Sequence, residues 1–274
     1  MDNVGQPRRE YEDRIVAFID ILGWKEMICA SERNQEKQNT VWAAMDLMRT
    51  PVSLWDYVKD KADALPRVVA SQFSDTVVLS DEDSIDGALY LTKATQDLCW
   101  SLLLKGYLTR GAIVRGKLFH DGRSVLGPAL VEAYLLEQSV ARYPRIVLAP
   151  NVASGLRYKY RHYDGSIHAA TLVREDFDGV SHLHILDAMW VRHFPGHQGV
   201  WTAQVRRAQD MVKGILTKLR RRSGGAQKLG TMAKYQWMLR YLRELSELLV
   251  AESRTRKPRS KNGATASNKP LKRS

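Results

Sequence analysis

The apolar positions in the first half of this chain come in short runs, each broken by a glycine or a polar pair. RIVAFIDILGWK (14–25) alternates and then stops at Gly23, which predicts a strand delivering Asp20 to a tight strand-to-helix turn. VVASQFSDTVVLS (68–80) is rich in Val and Phe on both sides of Ser74-Asp75, so two strands joined by a very short hairpin are expected, with Asp75 at the tip. Between them, WKEMICASER (24–33) predicts a helix, and an amphipathic stretch from about Thr40 to Val58 carries Trp42, Met45, Met48 and Trp55, kinked or split at Pro51. SIDGALYLTKATQDLCWSLLLKG (84–106) predicts a helix stopped by Gly106. YLTRGAIV and RGKLFHD then predict two strands paired about Arg115-Gly116. Gly127-Pro128 opens a helix over PALVEAYLLEQSVARY, and RIVLAP (145–150) is a further strand.

This order predicts an α+β fold, an antiparallel or mixed sheet with helices on one face, followed by C-terminal helices. From 157 to 187 the chain alternates with turn signals (YDGS, DFDG), consistent with a small β addition. Residues 200–222 and 228–252 predict two helices separated by SGGAQ, and the polar tail beyond them is expected to be disordered. The expected organisation is therefore 1–198 as a main domain with its β addition, 199–252 as a basic helical region and 253–274 as a basic tail. No internal repeat is present.

A hydrophobic content of 44% over 274 residues is enough for a sizeable core. No apolar run is long enough for a membrane span and the N-terminal residues are polar, so a soluble, cytoplasmic protein without a membrane partner is expected. Two cysteines, Cys29 and Cys99, are too few and too scattered for a disulfide framework or a zinc site; both fall in apolar helical patterns and are expected to be buried thiols. The net charge of +12 is uneven: residues 199–274 hold 19 Lys and Arg against 4 Asp and Glu, whereas residues 1–198 hold 23 against 26. Attraction to nucleic acid is thus an expectation for the C-terminal part alone.

Two carboxylates at the mouths of apolar runs suggest a divalent-metal site, since Mg²⁺ and Mn²⁺ take hard oxygen ligands; Asp as a plain turn residue explains the same pattern. Gly111 to Lys117 nearly spells a phosphate-binding Walker loop, but Leu118 stands where a hydroxyl must meet Mg²⁺, which excludes it. His182 and His184 alternate along a strand without a third ligand, so a packing or surface role is expected. Arg110, Arg115, Lys117, His120 and Arg123 gather around the second expected hairpin, where they suit either a polyphosphate or a solvated edge.

Taken in order, RIVAFIDILGWKEMI, SQFSDTVVLS, YLTRGAIVRGKL, SVLGPALVEAYLLEQSVA and RIVLAP resemble the class III nucleotidyl cyclase domain over residues 13–155. In that family a strand ends in a metal-binding Asp followed by Ile and a Gly-aromatic pair, matched by Asp20-Ile21 and Gly23-Trp24. A hairpin supplies the second metal Asp, matched by Asp75. An R-x-x-I-x-x-G strand matches Arg110, Ile113 and Gly116, and a Gly-led helix ending in Leu-Glu matches Gly127, Leu136 and Glu137. The adenine readers of adenylyl cyclases are replaced by Ser71 and Ser124, and the helix Asn and Arg by Val131 and Leu135. In these respects the chain is most similar to the pyrimidine nucleotide cyclases of the Pycsar anti-phage system.

That resemblance implies a homodimer with shared active sites that converts UTP, or less favourably CTP, to its 3′,5′-cyclic monophosphate and pyrophosphate, the product activating a separate effector protein. It implies two Mn²⁺ or Mg²⁺ ions per site, held by Asp20, Asp75 and the Ile21 carbonyl. Arg115 is the first candidate for the cation facing the departing pyrophosphate. Phe18, Trp24, Ser71, Arg110, Lys117, His120, Ser124 and Tyr134 are the nucleotide-binding candidates, with Tyr134 and Glu132 replacing the usual helix groups in position. The alternative expectation is a catalytically inactive cyclase-like module that binds nucleic acid through its basic C-terminal region.

Overall fold

The computed structural model describes residues 10–49, 68–163, 172–185, 198–221 and 224–255. The elements are β1 (Glu12–Ile21), α1 (Trp24–Ser31), α2 (Gln35–Arg49), β2 (Val69–Phe73), β3 (Thr76–Glu82), α3 (Ile85–Leu104), β4 (Thr109–His120), β5 (Val125–Leu126), α4 (Pro128–Val140), β6 (Ile146–Leu148), α5 (Pro150–Tyr163), β7 (Val173–Glu175), β8 (Ser181–Leu183), α6 (Gln198–Arg221) and α7 (Ala226–Thr255). Seven strands form a mixed sheet in the order β2-β3-β1-β4-β6-β8-β7, and β5 pairs back onto β4. Among the described strands only β4 and β6 pair in parallel, as their connection through α4 requires. The fold is α+β. Among the described residues no helix is long and apolar enough to cross a membrane.

Helices cover both faces of the sheet, not one as expected. Arg115 on β4 points to the side where Asp83, just before α3, pairs with it and where Gly155 of α5 approaches its guanidinium. Gly116, one residue on and therefore on the other side, meets Ala129 of α4. Further along that second face, His182 of β8 packs edge-on against Trp237 and Tyr241 of α7. The C-terminal pair clasps the sheet: Trp100 of α3 donates to Gln204 Oε1 of α6 at 2.9 Å, and Tyr241 of α7 takes Ile185 N at 2.9 Å.

The second expected hairpin does not exist. β4 runs unbroken for 12 residues, pairing with β1 from Thr109 opposite Ile21 to Leu118 opposite Glu12. Gly116 makes no turn; its missing side chain admits α4, since a Cβ there would lie 3.3 Å from that of Ala129. The turn comes later, where the Asp121 carboxylate accepts from the N–H groups of Arg123 and Ser124. Gly127 (φ 142°) then starts α4 where any Cβ would lie 2.6 Å from the Lys117 carbonyl.

Other boundaries follow the sequence more closely. Ser84 caps α3 by accepting from Gly87 N at 2.9 Å, and Gly106 (φ 97°) ends it. Helix α2 begins five residues before Thr40, and the Pro51 and Trp55 part of that expected stretch lies outside the described residues. The chain from 157 begins as helix, 164–171 and 186–187 lie outside the described residues, and the described part of the expected β addition forms β7 and β8, which extend the main sheet. Helix α7 continues through Thr255, beyond the start expected for a disordered tail; 256–274 lie outside the described residues. Cys99 is buried as expected, whereas Cys29 is exposed, on the wall of an open concavity between α1 and α2.

Candidate functional site

The expected β2–β3 hairpin forms, and it sets Asp75 beside Asp20. Phe73 pairs with Thr76, leaving Ser74 and Asp75 as a two-residue loop, and Thr76 sits directly across from Asp20. Ile21 N donates to Asp75 O at 3.1 Å, fastening the hairpin tip to the end of β1. Ser74 adopts φ 56°, a left-handed conformation that glycine takes at no cost and serine takes at about 1 kcal/mol. The sheet holds this strained loop in place, and Asp75 is what it presents.

Asp20 is flanked on the other side by Arg110, its partner on β4. Arg110 Nε donates to Asp20 Oδ2 at 3.3 Å and lies 2.5 Å from Glu137 Oε1 of α4. Glu137 is fully buried, so α4 is pinned to the sheet at the strand ends that carry the two aspartates. Burial pushes the Asp20 carboxyl above its ordinary pKa; Arg110 opposes this and Asp75 reinforces it. Burial likewise raises Glu137, with Arg110 opposing and Asp20 adding to the rise. A cluster in which neighbouring carboxylates disfavour one another's charge gains from a bound cation. The donor set therefore fits Mn²⁺ or Mg²⁺, although among the described residues no three metal-ligating side chains converge.

Two concavities open beside this cluster. One, of about 420 Å³, lies between the sheet and α4 and is lined by Phe18, Phe73, Thr76, Val78, Leu130, Val131 and Tyr134. Phe18 and Tyr134 meet edge to face there, ring centres 5.8 Å apart. The other, of about 570 Å³, runs from Ser74 and Asp75 between α1 and α2, where Trp24 and Lys25 line it. Trp24 itself is buried against Tyr107. Glu132 is on the exposed side of α4.

The other expected nucleotide contacts are not brought to Asp20. Arg115 is five residues from Arg110 along one strand, hence on the opposite face and about 17 Å away. It pairs with Asp83. Lys117 is also on that far face, paired with Asp13 at 2.8 Å. Ser124 stands in the β4–β5 turn, its N–H donated to Asp121.

Ser71 and His120 belong to a buried chain of hydrogen bonds. Arg14 Nε donates to Ser80 Oγ (2.9 Å), Ser80 Oγ lies 2.8 Å from His120 Nδ1, His120 Nε2 lies 2.9 Å from Ser71 Oγ, and Ser71 Oγ donates to the Gly122 carbonyl (3.0 Å). A neutral imidazole satisfies every link when Ser80 donates to Nδ1 and Nε2–H donates to Ser71. Burial, helped by Arg14, lowers the His120 pKa to about 4 and keeps it in that form. These residues tie β1, β2, β3 and β4 together.

Glu137, which shares Arg110 with Asp20, is the charged group that a reading of candidate ligands overlooks. Glu137 was visible only as the end of a Leu-Glu pair. Compared with models of known protein families and with curated proteins, the chain matches none.

Proposed function

We propose that this protein is a pyrimidine nucleotide cyclase of the class III type, converting UTP or, less favourably, CTP to the 3′,5′-cyclic monophosphate and pyrophosphate. The observation that supports it is the meeting of Asp20 and Asp75 at one end of the sheet, beside Arg110 and Glu137 and between two open concavities. Asp20, Asp75 and the Ile21 carbonyl would hold Mn²⁺ or Mg²⁺, which when bound would activate the ribose 3′-hydroxyl and neutralise the triphosphate. Arg110 holds Asp20 in place through Oδ2, and the buried Glu137 holds Arg110. Phe18 and Tyr134 offer aromatic surface to the nucleotide from the sheet and from α4. Through the resemblance in its sequence, the reading extends to a cytoplasmic bacterial anti-phage signal whose product activates a separate effector.

The test is incubation of the purified protein with UTP, CTP, ATP and GTP, one at a time with Mn²⁺, followed by separation of the products. Cyclic UMP or cyclic CMP with stoichiometric pyrophosphate is expected. Absence of a cyclic nucleotide from all four sinks the reading.

A homodimer with shared sites is part of the proposal. Val131, Tyr134 and Leu135 stand at i, i+3 and i+4 on α4 and are 59%, 47% and 57% exposed, and Phe73 at the hairpin is 51% exposed. An apolar stripe of this kind beside a site fits the surface a second copy would cover. Val131→Asp is expected to convert the dimer to monomer in sedimentation velocity runs and to remove activity in proportion. A variant that stays dimeric and fully active excludes α4 from the interface.

A further inference from the structure

The concavity between α1 and α2 begins at a carboxylate and becomes apolar away from it. Its polar end is the hairpin tip, Ser74 and Asp75. The bond from Ile21 N to Asp75 O sets that tip beside the start of α1, so Lys25 stands near the carboxylate end and Cys29 stands one turn, about 5.4 Å, further along the wall. Trp42 and Met45 of α2 line the same space. Trp42 is 56% exposed, whereas Trp24 beside it is buried. The Arg49 guanidinium, 5.9 Å from the Trp42 ring centre, restrains this indole without burying it. The concavity against α4 is lined by Phe73, Val131 and Tyr134, which belong to the stripe assigned above to a second copy. A dimer formed there leaves the space between α1 and α2 open.

We propose that the α1–α2 concavity seats the pyrimidine base of the nucleotide, with the Trp42 indole as its stacking surface; this rests on the cyclase reading. Phosphates belong at the carboxylate end, where a metal ion would bridge them, and the base then lies one ribose further from Asp75. Between the two helices that direction leads onto Trp42 and Met45. Apolar walls do not suit a polyphosphate, whose charges would lose water there without gaining partners. They suit a flat base, which presents a π-face to an indole whatever its edge carries. A volume of about 570 Å³ with a few polar groups at one end is also the ordinary form of a small-molecule site. An indole left half in water at the wall of such a space is surface available to a ligand.

Cys29 reports on occupancy of this space. The chain has two cysteines and Cys99 is buried, so a maleimide reagent reads the concavity alone. The rate of Cys29 alkylation is measured with UTP, with CTP and with tripolyphosphate, which carries the phosphates without the nucleoside, each in excess with Mn²⁺. UTP should slow labelling and tripolyphosphate should not. Trp42→Ala should abolish the protection and raise KM for UTP by about tenfold or more, the scale of one base–aromatic stack, with kcat little changed. Trp42→Phe should restore most of both. Protection by tripolyphosphate as strong as that by UTP puts phosphates in the concavity and overturns the inference. A Trp42→Ala protein that melts earlier yet is protected as wild type is also overturns it, since the indole is then structural. If wild type forms cyclic nucleotide while Cys29 stays unprotected, the inference falls and the cyclase reading stands. If no cyclic nucleotide forms but UTP protects Cys29 through Trp42, the concavity takes a pyrimidine nucleotide and the cyclase reading falls. If UTP neither protects nor reacts, both fall.

Discussion

Asp75→Ala is expected to lower cyclic nucleotide formation by about 10³-fold while leaving the thermal midpoint within a few degrees of wild type. The separation of the two effects follows from geometry. What fastens the hairpin to β1 is the Asp75 carbonyl accepting from Ile21 N, and alanine keeps that carbonyl. The Phe73–Thr76 pair and the β2–β3 register are equally indifferent to the side chain. What is lost is a carboxylate beside Asp20, and removal of a group that organises transition-state charge costs catalysis on this scale. Asp20→Asn should be comparably inactive. It should cost more stability, since it also removes the charge that faces Arg110 at 3.3 Å. Product formation by thin-layer or liquid chromatography and a melting curve decide the matter. An active Asp75→Ala returns the residue to a plain turn position.

The pair of aspartates was legible in the sequence because everything that positions it is local. A strand alternates, a glycine ends it, a two-residue loop reverses the chain, and each signal acts over a few residues. The cations were misread for a reason just as local. A glycine in an apolar run serves either a turn or a close approach, and Gly116 serves the approach of α4. A hairpin there would have folded Arg115, Lys117 and His120 back toward Arg110. The continuous strand instead spreads positions 110 to 120 over about 33 Å and sends Arg115 and Lys117 to the far face. The path of α7 was illegible because it depends on Trp237 meeting Asp176 and Tyr143, contacts that cross 61 residues or more of chain.

The same reasoning changes what Ser71 and His120 do. Read along the chain they occupy nucleotide-binding positions; in the fold they satisfy one another, and Ser71 is buried beneath the turn that carries Gly122. Under the proposed function, selection of the base would fall to side chains that remain open to the concavities, among which Tyr134 and Phe18 already meet. Aromatic rings favour a base through their faces, without distinguishing uracil from cytosine.

Stability is expected to collapse between pH 7 and pH 5, and three buried histidines are the reason. His120 and His182 are held at about 4 and His184 at about 3, each lowered chiefly by burial, against an ordinary value near 6.5. The unfolded chain therefore takes up three protons as pH falls through 6.5, while the folded chain takes up none until pH approaches 4. Stability from these groups is complete above 6.5 and is lost on acidification, at about 1.4 kcal/mol per pH unit for each and about 5 kcal/mol in sum by pH 5. That is a large part of the stability of an ordinary domain. Asp20 and Glu137, whose folded pKa values are raised by burial, act with the opposite sign, because on acidification the folded chain protonates them before the unfolded chain does. The surroundings of the rings explain why protonation is so poorly tolerated. Tyr241 Oη accepts from Ile185 N and lies against His184 Nδ1, and Ser80 Oγ, which accepts from Arg14, lies against His120 Nδ1. A proton on either ring puts a second positive charge in a buried place already facing Arg14 or Arg174. Urea titrations at pH 8, 7, 6 and 5 measure the slope directly, and His184→Gln should reduce it by about a third. A flat profile between pH 7 and pH 5, or an undiminished slope in that variant, would refute the account.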